Sequence, residues 1–214
     1  MTTSLALFLP GILPECLGVP DIVAFDALKN SVIELAERGR IIHWASDPMA
    51  LSPNVPEVEI ETEDYTYLAS IETVTLDGIP LRPRSWEQLD KNLPGWRKVQ
   101  GTPFAFTRID DITIRLVYTP VERSAGEGLV IQGWLAPTRQ AVAVPDEFYH
   151  RWYRAVCNGA KAQLMMMPEK PWTNMQLATA IRSTFEEQVN HALRQSFSDH
   201  AQVELVARAP FRFA

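Results

Sequence analysis

Four histidines (His43, His150, His191 and His200) and two cysteines (Cys16 and Cys157) are the side chains of this 214-residue chain best suited to bind a metal or attack a substrate. No two histidines stand four apart, the spacing that aims a pair from one helix face at a zinc ion. His150 and His191 fall in helical stretches beside charged or polar neighbours, where a solvated or hydrogen-bonded imidazole is the simpler account. The two cysteines have no paired ligand spacing and read as reduced, partly buried thiols of an intracellular protein. Glu57, Glu59, Glu61 and Glu63 alternate along a strand and share one face, a row that attracts cations but more often faces solvent. Gly126-Glu127-Gly128 and Gly101-Thr102-Pro103 are turns before strands, and neither a phosphate-binding glycine loop nor a nucleophile elbow is present. Met165-Met166-Met167 reads as adaptable packing at a helix end, and methionines also suit an interface that must fit different partners. No catalytic residue, cofactor site or metal site is assigned.

Composition narrows the classes further. A hydrophobic content of 46% and a charged content of 21% are those of a folded globular chain, long enough to bury a sizeable core. The net charge of −6 argues against general nucleic-acid binding, which depends on neutralising phosphates, but suits a wall along which DNA slides. Leu5 to Leu9 is apolar, yet no basic residue precedes it and Pro10 stops it, so neither a signal peptide nor a membrane span is expected.

The elements that would position these side chains form an α+β fold: a small helical bundle, made of a first helix and a C-terminal helical hairpin, with an inserted antiparallel β-sandwich or barrel-like domain. The bundle takes residues 1–40 and 145–200, the insert 41–144, and a terminal arm 201–214. Residues 1–19, with Pro10, Pro14, Gly11 and Gly18, read as an extended, turn-rich arm carrying apolar side chains, lying on its own hairpin or on a neighbouring subunit. The first helix runs from Asp21 to Arg38 with Ile22, Phe25, Leu28, Val32 and Leu35 inward and Gly39 as its stop. The hairpin opens at Pro145 with one helix to about Met166, roughly 33 Å long. Its stripe includes Phe148, Trp152, Gly159 and Met166. A mid-helix glycine costs about 1 kcal/mol against alanine, so Gly159 implies a closely approaching helix. Pro168 and Pro171 break the chain beside Trp172, and a capping box at Thr173 and Gln176 starts the second helix, whose stripe runs from Leu177 through Phe185 to Phe197.

In the insert, Asp77-Gly78 is a hairpin turn after Ser70 to Leu76, and Ser85 caps a helical turn that Pro94-Gly95-Trp96 ends. Phe104 to Arg108 and Ile112 to Tyr118 form a second hairpin, and Leu129 to Leu135 another strand. Gln202 to Arg208 alternates as a terminal strand, followed by Phe211 and Phe213. It joins either the central sheet or a sheet on another chain.

The order of these stretches resembles the head-to-tail adaptor, or neck, proteins of tailed bacteriophages, including the tail tubular protein A type. Phe8-Leu9-Pro10-Gly11-Ile12-Leu13-Pro14 and Gly18-Val19-Pro20-Asp21 are similar to that family's entry arm. Leu76-Asp77-Gly78-Ile79-Pro80-Leu81, Pro94-Gly95-Trp96 and Gly101-Thr102-Pro103 are similar to its β region. Gly159-Ala160, Met167-Pro168, Lys170-Pro171-Trp172 and Phe185-Glu186 are similar to its hairpin. The likeness spans about residues 8 to 195. It implies a non-enzymatic virion protein that docks under the portal protein as a homo-oligomeric ring, typically dodecameric. The ring would receive the tail tube or nozzle and surround genomic DNA without sequence-specific binding, with no membrane partner. Trp152, Gly159, Met166, Trp172, Phe185, Phe211 and Phe213 are the candidate packing and interface residues. The greasy circumference of the hairpin agrees, being more than one small β domain would cover. Two other classes compete: a virion or host-interaction module whose β domain binds a ligand or glycan, and an enzyme with a convergent acid–base pocket.

Overall fold

The structure, a computed structural model, describes residues 1–124, 126 and 128–200, and of residues 199 and 200 the backbone alone. The expected strand at Gln202 to Arg208, with Phe211 and Phe213, lies outside the described residues. The chain is α+β, with elements β1 Thr2–Ser4, a 3-10 helix Leu5–Gly11, α1 Asp21–Gly39, β2 Ile42–Ala45, β3 Glu57–Glu59 and β4 Thr66–Leu76. Then follow β5 Ile79–Pro80, β6 Arg82–Pro83, α2 Trp86–Asn92, β7 Ala105–Arg108, β8 Thr113–Val117, β9 Leu129–Pro137 and β10 Ala143–Pro145. α3 Asp146–His150, α4 Tyr153–Met165 and α5 Met175–His200 complete it.

Two four-stranded sheets, β2-β9-β4-β5 and β3-β8-β7-β6, share one apolar core. Leu68, Val74, Ile131 and Leu135 enter it from the first sheet and Ile114, Leu116 and Phe106 from the second, as in a sandwich. All pairs are antiparallel except β6 with β7, which run parallel over Arg82–Ala105 and Pro83–Phe106. The turn at Asp77 (φ 50°) and Gly78 (φ 80°) joins β4 to β5, because both central positions need the left-handed region that Asp-Gly tolerates. Two register shifts bend β4, one between Leu68 and Ser70 and one between Ile71 and Thr73. Arg108 closes the first from the opposite sheet, donating Nη2–H to the Leu68 carbonyl at 2.7 Å. Gly133 lies opposite this bend, where a Cβ would collide with the Ser70 carbonyl. A third, smaller cluster packs Leu89 of α2 and Trp96 against Ala105 and Val117.

The second large core lies among α1, α4, α5 and the N-terminal segment. At its centre α1 and α4 cross on small residues. Ser31 donates its hydroxyl to the Val156 carbonyl at 2.8 Å, and a Cβ at Gly159 would meet Ser31 Oγ and come within 2.9 Å of the Phe185 ring. On the solvent side α1 and α5 are held by a quartet of charges. Arg38 bonds Glu34 and Glu186, and Arg182 bonds the same two carboxylates.

Several local expectations are corrected. The N-terminal arm is turn-rich, as expected, but it is extended only over β1, which pairs with β10; the 3-10 helix then seats Phe8 against Tyr149 and Tyr153, with ring centroids 5.5 and 5.4 Å away. Glu15 adds an ion pair to Lys161 at 2.8 Å. The helix expected from Pro145 to Met166 is broken, with Trp152 at φ −111° and ψ 11°. α3 must continue from β10, which is tied to β1, whereas α4 must follow α1 and α5, and one straight axis cannot do both. Gly39 is not the stop of α1. It is the last helical residue, buried because a Cβ there would sit 3.0 Å from Ala192 Cβ, and Arg40 makes the left-handed turn at φ 51°. Asn174 rather than Thr173 caps α5, accepting the Leu177 N–H at 3.1 Å, because the Thr173 hydroxyl is engaged by Lys170 N–H and the Met167 carbonyl. Ile22, Leu177 and Phe197, expected inward, are exposed.

Three outcomes follow from these contacts. Gly159→Leu should destabilise the fold by more than the roughly 1–3 kcal/mol typical of overpacking, since both Ser31 and Phe185 would have to move. Urea unfolding of Gly159→Ala with and without Ser31→Gly should show favourable coupling; strictly additive losses would mean the two positions do not meet. Hydrogen bonding from Arg38, then from Arg182, holds the Glu186 carboxyl down at about 2, below its ordinary 4.5. A depressed carboxyl stabilises the native state above its unfolded value, and that contribution is lost as the pH falls toward about 2. Thermal melts should therefore drop between pH 5 and 2, and Glu186→Gln should flatten the drop.

Candidate interaction surfaces

His43 stands on β2 with its imidazole 3.4 Å from the Glu72 carboxylate and edge-on to Trp134. His150 and His191 line one open cleft of about 370 Å³ with Trp152 and Tyr153, a meeting their 41-residue separation did not signal. Their rings rest on Tyr149 and Trp152, respectively. Among the described residues no carboxylate, serine or cysteine lines that cleft. Cys16 and Cys157 are buried free thiols. Burial pushes the Cys157 thiol up to about 11 and raises that of Cys16, so neither is a ready thiolate nucleophile. Among the described residues there is no cluster of three histidine, cysteine or acidic side chains able to hold a metal, and no helix long and apolar enough to cross a membrane.

What the surface offers instead is docking area. Trp152, Gly159 and Phe185 are packing residues in the subunit interior: Phe185 is fully buried, Trp152 is 7% exposed, and Gly159 seats the α1 crossing. Met166, at 38% exposure, and the half-buried Trp172 lie together on the link between α4 and α5, with Met175 and Leu177 exposed beyond them. Phe211 and Phe213 are outside the described residues. The expectation that the hairpin has more apolar circumference than one subunit can cover is not met along α4. Leu164 and Met165 are buried by the chain itself, since the N-terminal segment wraps the face that sequence left open. Apolar exposure remains on the link, on the N-terminal segment at Leu7 and Leu17, and at Ile22 in the first turn of α1.

At the far end of the sandwich a groove of about 400 Å³ runs between the β4–β5 turn and the start of β7. Ile79, Pro80, Leu81 and Phe104 give it apolar walls, with Arg82 and Arg84 on its rim. Sequence reading passed over these two arginines. The signal was the period-two pattern Leu81-Arg82-Pro83-Arg84, which buries Leu81 and turns both guanidiniums outward. The Glu57 to Glu63 row, read as solvent-facing, is exposed at all four glutamates, with Val58 half-buried and Ile60 buried between them.

No curated protein matches this sequence. The sequence model of one family, described as SU10 adaptor protein, matches residues 3–210. That span takes in the N-terminal segment, the sandwich and the helical hairpin. A phage adaptor is a structural component of the virion, which agrees with the resemblance carried by the entry arm, the β region and the proline-tryptophan link. The chain thus belongs to the SU10 adaptor protein family, a family of phage structural adaptors.

Proposed function

We propose that this chain is a head-to-tail adaptor whose copies form a ring, by the habit of such proteins a dodecamer, between the portal protein and the tail tube or nozzle. Genomic DNA passes through the channel without being read, and the chain performs no catalysis. The observation that carries the reading is the family match over residues 3–210, nearly the whole chain. A net charge of −6 supports it, because a negative wall does not hold a polyanion in transit.

In this reading the helical body, residues 1–40 with 145–200, faces the portal, and the β body, residues 41–144, faces the tail. The exposed Met166 and half-buried Trp172 contribute at the portal face, where adaptable methionine and a large aromatic suit an interface. Phe211 and Phe213 extend the contact through the terminal arm. Trp152, Gly159 and Phe185 keep the hairpin rigid behind that face.

Purified protein mixed with isolated portal rings should give a stacked second ring by electron microscopy. Monomer alone and also with portal would overturn the proposal. Removing residues 201–214 should leave cooperative unfolding unchanged and weaken portal docking by about tenfold or more. Loss of the folded chain on that deletion would place the arm in the fold rather than in the docking contact.

A further inference from the structure

Among the described residues the sheet β3-β8-β7-β6 ends in two unpaired edges of opposite charge. At the β3 edge, Val58 and Ile60 point into the sandwich and Glu57, Glu59, Glu61 and Glu63 point out. Glu57 is bonded by Arg115 at 2.7 Å. Glu59, Glu61, Glu63 and the adjoining Asp64 have no side-chain hydrogen bond or ion pair among the described residues. Exposed Val55 and Tyr65 flank the row on either side.

At the β6 edge the backbone is used up inward, Arg82 N–H to the Phe104 carbonyl at 3.2 Å and Arg84 N–H to the Phe106 carbonyl at 2.9 Å. The side chains of Arg82 and Arg84 are exposed and have no ion pair among the described residues. They border the 400 Å³ apolar groove in which Ile79 is 68% and Phe104 39% exposed. Among the described residues the one acid on that groove, Asp77, is already engaged by the Gly126 and Gly128 N–H groups at 3.1 and 2.8 Å.

We propose that the occupant of this groove is a second copy of the chain, which lays its acidic β3 edge against Arg82 and Arg84 of the first. The inference rests on the ring reading and names the contact that closes the ring. The two surfaces lie on opposite edges of one sheet, so a single chain cannot satisfy both internally. A two-fold dimer through either edge would set like charge against like. A head-to-tail contact pairs carboxylates with guanidiniums, and it closes into a ring when the rotation from one copy to the next permits. Arginine suits the role because its planar fork takes a carboxylate by two parallel hydrogen bonds. The apolar groove gives Val55 or Tyr65 a surface to cover, so the contact is not charge alone.

The test uses full-length protein assembled on portal rings and read by native mass spectrometry. The doubly reversed chains Arg82→Glu/Arg84→Glu and Glu59→Lys/Glu61→Lys should each lose ring formation by more than about tenfold, and an equimolar mixture of the two should recover it, since alternate copies then present opposite edges. Wild-type rings should also loosen at about 1 M salt, where screening acts over about 3 Å. All four positions are exposed, and circular dichroism melts matching wild type would show that each variant is folded. In a second arm, Glu61→Cys combined with Arg84→Cys in one chain should give a disulfide ladder of linked copies. Rings from either reversed chain alone, no recovery on mixing, or no ladder would overturn this contact while leaving the ring reading intact. Wild-type protein that stays monomeric with portal present would overturn both.

Discussion

The close crossing of α1 and α4 at Ser31 and Gly159 is the constraint on which the helical half depends. Two backbones approach there because one side chain is absent and the other is a hydroxyl that finds the Val156 carbonyl. A serine buried without that acceptor would cost about 1–3 kcal/mol, and a larger residue would force the helices apart. The same crossing leaves the slot that Phe185 of α5 fills completely, so three helices are registered at one point. Gly39 repeats the device near the end of α1, this time toward Ala192 of α5. The quartet of Glu34, Arg38, Arg182 and Glu186 then fixes the outer edge of the α1–α5 pair. It is a network of partly exposed charges with several partners each, which contributes more than isolated surface pairs do.

That rigid hairpin dictates the rest of the chain's path. The N-terminal segment docks on α4 through Phe8, Cys16 and Glu15, and β1 clasps β10 just before α3 begins. The chain ends of the sandwich are thereby tied to the helices. Ala136 of β9 joins the helical core while Leu135 beside it joins the sandwich core, so the two apolar clusters meet on one strand. A β insert anchored in this way presents its far edges, β3 and β6, outward.

Much of this was legible in the sequence because it depends on neighbours in the chain. Asp77-Gly78 turns a hairpin and Ser85 caps a helix as their local sequence indicates, and the alternation from Glu57 marks a half-exposed strand. What failed depends on contacts distant in sequence. Periodicity from Phe148 to Met166 is continuous, so nothing local marks the break at Trp152, which comes from β10 and α5 pulling in different directions. Thr173 and Asn174 both make good caps, and the carbonyl of Met167 decides between them. Gly39 looks like a stop because glycine usually is one; its burial against Ala192 needs knowledge of α5. The apolar excess assigned to the hairpin was real, but its cover proved to be the first twenty residues of the same chain rather than a neighbour. At the candidate surfaces the acidic row was visible, whereas the arginines became meaningful only once the topology set them on the opposite edge of the same sheet.

Together these features describe a structural adaptor, with a helical hairpin at one end and a β-sandwich whose edges differ in charge at the other. The central claim is that identical copies of this chain surround the channel below the portal. Cryo-electron microscopy of the portal–tail junction in intact virions tests it most directly. The account predicts a closed ring of this fold in that density, with the β3 edge of each copy facing the β6 edge of the next. A junction built without this chain, or one in which it sits as an isolated copy on the outer wall, would contradict it.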